Sequence, residues 1–237
     1  MIGLGTIANT AAIVAGGICG LLFGRFFSAQ NQDTLCKSCG VCVVLIGVAG
    51  VMEGMLSVEG TGLSSGGSMK IVVCVALGAL IGELLNIEAR FEDFGEWLKR
   101  RTGNAGDSGF VAAFVNASLT VCIGAMAVIG AIQDGILGDP SILMTKAALD
   151  FIIIMVMASS MGRGCIFSAI PVAALQGGVT VLSRLVQPIM TPAALANLSL
   201  VGSILIFCVG VNLVWGRKIA VANLLPAIVV AVAAAFV

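Results

Sequence analysis

Between Asp139 and Arg163 the only charged residues are Lys146 and Asp150, set in the run K-A-A-L-D-F-I-I-I-M. An ionised aspartate at the centre of a membrane helix costs about 2.5–3.5 kcal/mol on insertion scales, so its retention points to a use: holding a cation, relaying a proton or touching a solute. The plainer alternative is a structural bridge to Lys146, one helical turn away and near the surface. Glu83, in G-A-L-I-G-E-L-L, is a second carboxylate inside an apolar run. Glu53, Gln133 and Asp134 stand nearer the ends of their runs, where a side chain reaches the headgroups. Asn9, Asn116, Gln176 and Asn212 are amides at membrane depth, whose default use is hydrogen bonding between helices. Asp150 and Glu83 are expected to bind or relay a cation or proton. Asn9, Gln176, Ser168 and Asn212 are expected to shape a solute site, with Asn116, Gln133 and Asp134 on the same pathway.

Catalysis has little to work with. The chain has no His, which removes the commonest general base and metal ligand. No nucleotide-binding loop, cofactor motif or nucleophile–base pair is visible, so no catalytic residue and no cofactor are expected. Cys36, Cys39 and Cys42 repeat a C-x-x-C spacing, but no fourth clustered Cys follows. They read as small packing residues at the start of a helix, and no metal is expected. Net charge is zero, which gives no electrostatic case for nucleic acid.

These residues sit in a chain of 237 residues, 59% of them hydrophobic and only 10% charged, against about 25% charged in a soluble domain. Mean hydropathy is +1.13. A soluble fold cannot bury that much apolar surface, whereas a bilayer can solvate it. The apolar runs exceed barrel-strand length and the aromatics are too few for a barrel girdle. The expected fold is therefore all-α, a polytopic bundle of eight membrane spans at 4–24, 35–56, 70–87, 110–136, 141–161, 164–184, 193–214 and 218–236. The opening segment lacks a basic stretch and a small-residue cleavage site, so it reads as a span and not as a cleaved leader. Gly60–Gly67 reads as a Gly/Ser loop. Asp139 and Thr191, each followed by Pro, read as N-caps. Residues 87–101, I-E-A-R-F-E-D-F-G-E-W-L-K-R-R, place Ile87, Phe91, Phe94, Trp97 and Leu98 at helical spacing among charges; this is an amphipathic helix expected at the interface.

Eight spans put Arg25, Lys37, Arg90, Lys99, Arg100, Arg101, Arg163, Arg217 and Lys218 on one side, against Lys70, Lys146 and Arg184 on the other. If the fifth segment did not cross, the split would fall to seven against five. The positive-inside rule therefore favours eight, with both termini outside the cytoplasm and the amphipathic helix facing it.

The two ends of the chain are alike. At an offset of 161, Gly16, Gly17 and Leu21 match Gly177, Gly178 and Leu182; at 160, Leu45, Gly50 and Val51 match Leu205, Gly210 and Val211; at 148, Lys70-Ile71 matches Lys218-Ile219. The matches keep their order, so helices 1–3 read as a copy of helices 6–8. Each helix stands five places from its copy, with four helices between them, which makes the copies inverted, an arrangement common in transporters and also used by channels. The chain then divides into repeat A (1–87), the amphipathic helix (87–101), central helices (110–161) and repeat B (162–237). Pro171 and Pro226 each remove a backbone donor, and a helix opened between Gly164 and Pro171 would offer backbone groups to a solute. Glycines four apart, Gly16-Gly20-Gly24, Gly50-Gly54 and Gly78-Gly82, permit close helix packing within the chain or in a homo-oligomer.

The stretches M-I-G-L-G-T-I-A-N-T-A-A-I-V-A-G-G, G-A-L-I-G-E-L-L-N-I-E-A-R-F-E-D-F-G-E-W-L-K, G-A-M-A-V-I-G-A-I-Q-D-G-I-L-G-D-P-S-I-L-M-T-K-A-A-L-D and F-S-A-I-P-V-A-A-L-Q-G-G resemble domain-of-unknown-function family 554 over nearly the whole chain. The resemblance implies a small multi-spanning protein of the prokaryotic inner membrane, with no established substrate. Asn9, Glu83, Gln133, Asp134, Asp150 and Gln176 fall within the matching stretches, whereas the Cys-rich start of helix 2 does not. The expected function is a secondary transporter of a small solute, coupled to a cation or proton. A channel or uncoupled pore is one alternative, and a membrane scaffold or regulatory subunit docking through 87–101 is another.

Overall fold

A computed structural model of the chain describes residues 2–236 except 25, 27, 60, 61 and 124. Arg25, used in the charge split, and the first two residues of the Gly60–Gly67 loop thus lie outside the described residues. The fold is a helical bundle: α1 (Leu4–Gly24), α2 (Ala29–Met55), α3 (Ser68–Leu85), α4 (Ile87–Arg101), α5 (Phe110–Cys122), α6 (Ala125–Leu137), α7 (Ser141–Met161), α8 (Ala169–Val181), the single turn α9 (Ser183–Val186), α10 (Pro192–Trp215) and α11 (Pro226–Ala233). Among the described residues, six stretches are long and apolar enough to cross a membrane: Leu4–Gly24, Asp33–Met55, Ser68–Leu85, Ser141–Met161, Arg163–Val181 and Pro192–Trp215; the bent pair α5–α6 makes a seventh if it counts as one span. Exposed Leu, Ile, Val and Phe side chains cover the outside of the bundle, as a lipid-solvated protein requires.

Three expected spans are interrupted. The fourth bends by 61° between α5 and α6, where Ile123 adopts an extended conformation and ends the helix. The sixth begins as a 3-10 stretch, Arg163–Ser168, before turning α-helical at Ala169. This is the segment expected to open ahead of Pro171. The eighth, expected to run unbroken over 218–236, is a 3-10 turn, Val221–Leu224, followed by α11. Pro226 explains the break, since its ring and missing N–H allow it to start a helix but not to continue one. The apolar helical part, Val221–Ala233, extends about 20 Å, short of the roughly 30 Å hydrocarbon layer.

The Gly/Ser loop is folded further than expected: β1 (Leu56–Glu59) and β2 (Gly62–Ser65) pair antiparallel, with Leu56 opposite Ser65. Thr191 caps α10 as expected, its hydroxyl accepting the Ala194 N–H at 3.2 Å. Asp139 lies one residue further out than a cap, because α7 starts at Ser141, yet its carboxylate still accepts the Ser141 N–H at 3.0 Å. The Ser141 hydroxyl, which also donates to this carboxylate, then the Ser141 N–H and Gln133, hold the Asp139 carboxyl below the usual aspartate range.

Glycine sets the packing. Along α1, a Cβ on Gly5, Gly16, Gly20 or Gly24 would strike Leu143, Phe151, Met155 or Ser159 in turn, so α1 and α7 lie in close contact and run in the same direction. Gly47, Gly50 and Gly54 meet Phe207, Ser203 and Leu200, which makes α2 and α10 antiparallel; Gly78 and Gly82 meet Ala227 and Asn223, which makes α3 antiparallel to the last segment. The glycine stripes are thus intramolecular contacts. The bent pair α5–α6 and the 3-10/α8 segment run parallel, Gly164 lying against Phe110 and Gly135 against Thr180. The amphipathic helix α4 matches its expected bounds. It packs on α5 through Phe91, stacked on Phe114 at 5.6 Å.

Candidate functional site

Close packing of α1 on α7, with α8 against α1, gathers polar groups from distant parts of the chain inside the bundle. Lys146 donates to both carboxylate oxygens of Asp150, at 2.8 and 2.7 Å. The bridge expected as the plain alternative is therefore formed, but in the interior: Lys146 is 7% and Asp150 3% exposed. Asn9, from α1, lies close enough to act on the Asp150 carboxylate. Its amide donates to Gln176 of α8 at 3.2 Å, across 167 residues of sequence. Both amides are fully buried. Among the described residues Asn9 Oδ1 and Gln176 Nε2 have no hydrogen-bond partner, so the pair retains one free acceptor and one free donor.

One turn further, the Thr6 and Thr180 hydroxyls meet at 3.3 Å. Beyond them the fully buried Asp134 accepts the Gly3 and Gly5 N–H groups, at 3.2 and 3.0 Å. Its charge thereby offsets the positive end of α1. Gln133, its neighbour, instead bonds Asp139 at 3.0 Å.

The remaining expected residues lie elsewhere. Glu83 accepts from Asn223 at 2.7 Å, and Asn223 accepts the Glu88 N–H at 2.7 Å. Glu88 accepts the Ala222 N–H at 2.8 Å and faces Arg217, which also pairs with Glu92. Burial pushes the Glu88 carboxyl above the usual glutamate range, against the opposing pull of the Ala222 N–H and Arg217. Asn212 clamps the turn after α10, accepting from Lys218 and Ile219 and donating to the Ile219 carbonyl. Ser168 bonds the Cys165 carbonyl at 2.7 Å within the 3-10 stretch. Asn116 and Asn212 line a 320 Å³ recess together with Glu88, Glu92, Glu96 and Arg217.

The structure thus brings Asp150, Asn9 and Gln176 together, with Asp134 capping the same end of α1, and leaves Glu83 in a separate cluster. Lys146, Glu88, Arg217 and Asn223 are polar members that sequence reasoning did not place in a site. Lys146 was visible at the i−4 position. The others carried no spacing signal. The central cluster has no nucleophile–base geometry; it can hold a proton or exchange its ion pair for a solute bearing opposite charges.

A family model described as "Protein of unknown function (DUF554)" matches residues 4–236. The chain is similar to "Uncharacterized membrane protein YdfK" of Bacillus subtilis (strain 168), with 27% identity over 226 residues, 95% of this chain and 93% of that protein. It is similar also to "Uncharacterized protein YqgA" of Escherichia coli (strain K12), with 26% identity over 235 residues, 96% of this chain and 94% of that protein. No solved structure matches it.

Proposed function

We propose, from the premise that this chain belongs to the DUF554 family of proteins of unknown function, that it is a secondary transporter of a small solute in the cell membrane, coupled through Asp150 to a proton or cation. The observation that carries the reading is the Lys146–Asp150 pair, buried inside a multi-pass bundle beside two amides with a free donor and acceptor. A purely structural cluster would be expected to satisfy those atoms, since an unpaired buried polar atom costs about 1–3 kcal/mol. Proton uptake by Asp150 would release the Lys146 ammonium, which gives a two-state element for coupling.

Helix geometry supports the reading. Each helix of the proposed repeat packs antiparallel on its proposed copy: α1 on α8, α2 on α10 and α3 on the last segment. The parallel packing of α1 with α7 is echoed by that of α8 with α5–α6. An inverted repeat gathers broken helices around a central site in this way.

The test compares wild type, Asp150→Asn, Lys146→Met and the double variant in detergent, screened by thermal shift against ions and small metabolites. Each single variant leaves a buried charge or polar group unmatched and is expected to lose about 3–5 kcal/mol, with the double variant recovering much of it. A ligand stabilising wild type alone supports the carrier. If Asp150→Asn melts like wild type and ligands act on both alike, the coupling role fails. Unsaturable conductance in reconstituted vesicles would favour a pore. Function lost only on changing Trp97 and Arg100 would favour a docking subunit.

A further inference from the structure

The three helix interruptions converge. Cys122 and Ile123 at the end of α5, Val128 of α6, Pro171 in the first turn of α8, and Leu225 between the last 3-10 turn and α11 line one recess of 210 Å³ that opens between the helices beside the exposed Leu175. Among the described lining residues every other side chain is apolar except that of Ser118, which brings the only side-chain oxygen. Ser118 is fully buried, and its hydroxyl has no hydrogen-bond partner among the described residues. The neighbouring helices do not supply that partner, although a serine hydroxyl normally finds one.

From this juxtaposition we infer a binding site for a small, uncharged, mainly apolar solute carrying one hydrogen-bonding group. No charged side chain lines the cavity, so an ion entering it would lose its hydration without compensation. An apolar cavity of about 150 Å³ admits benzene, so this volume fits an aromatic or branched aliphatic alcohol of six to ten non-hydrogen atoms. A Ser118 rotamer that turns the hydroxyl into the recess both donates to and accepts from such a group. The use of the site as the carrier's solute position rests on the transport reading; binding itself does not.

Three probes of one shape decide it: benzyl alcohol, benzoate and benzylamine, each titrated against the full chain in detergent by thermal shift. The alcohol is expected to raise the melting temperature of wild type saturably, while neither ion does. Ser118→Ala weakens the apparent affinity about fivefold, the worth of one hydrogen bond. Val128→Phe, which fills the cavity, abolishes the shift; if that variant does not fold, Ser118→Ala alone decides. An alcohol shift unchanged in the variants, no saturable shift in wild type, or equal shifts from the charged probes overturns the site. An Asp150→Asn protein that binds the alcohol normally but shows no coupling sinks the carrier reading alone. Coupling at Asp150 without alcohol binding sinks the cavity site alone.

Discussion

Lys146 and Asp150 enter the bundle as a neutral unit. Desolvating either charge alone costs several kcal/mol, and a partner at hydrogen-bond distance on the same helix offsets much of it. Their spacing was legible in the sequence, because four residues make one helical turn. The arrival of Asn9 and Gln176 beside them was not, because their contact spans 167 residues and depends on which helix faces pack. Glu88 shows the same limit more sharply. In the sequence it is one charge among many on an amphipathic helix, yet the fold buries it against the Ala222 N–H. That burial has a measurable consequence. A carboxyl whose pKa is raised on folding binds its proton more tightly in the folded state, so stability is greatest below the ordinary glutamate range. It falls as pH climbs to the raised value and levels off above it. Glu88→Gln, which keeps an acceptor for Ala222, is expected to remove this downward segment. Unfolding midpoints measured across the acidic-to-neutral range check it, and superimposable wild-type and variant profiles would show that Glu88 contributes nothing to the slope.

At the scale of elements, close backbone approach carries the packing of α1 on α7. A methyl group on Gly20 would meet the Met155 carbonyl, which is backbone and cannot turn aside. Gly178, also helical, has nothing within 4 Å of its would-be Cβ. The sequence made these glycines look equivalent, since both fall in the matched stretches of the proposed repeat; only the packing separates them. Gly20→Ala is therefore expected to destabilise by about 1–3 kcal/mol through overpacking. Gly178→Ala is expected to be neutral or to gain roughly 0.5–1 kcal/mol from helix propensity. Thermal or denaturant unfolding of both variants in one detergent decides it, and a Gly20→Ala protein as stable as wild type would mean that α1 and α7 pack less tightly. The long spans were legible because an apolar run of about 20 residues has one solution in lipid. The interruptions were legible only where proline marked them. The 61° bend between α5 and α6 falls at a Cys-Ile-Gly sequence that gives no comparable signal.

Over the whole molecule, helix direction constrains topology. Because α1 and α7 run parallel, an odd number of crossings must separate them. With α2 and α3 each crossing once, the bent pair α5–α6 is expected to make the third, as one span and not as a loop returning to its own side. Continuing the alternation, α8 and α10 cross in turn, and the last segment runs antiparallel to α3. On that count both termini are expected on the side opposite α4, whose last turn holds Lys99, Arg100 and Arg101. By the positive-inside rule the α4 side is expected to be the cytoplasmic one. Reporter fusions after Gly103, Met190 and Ala235 test each step. Alkaline phosphatase is expected to be active at the second and third positions and silent at the first, with a fluorescent cytoplasmic reporter giving the complementary pattern. The third position is the most informative, because the apolar helical stretch Val221–Ala233 is too short to span the hydrocarbon layer unaided. A fluorescent fusion there, with the other two as expected, would mean that the segment enters beside α3 and turns back, leaving seven crossings and moving the C-terminus to the cytoplasm.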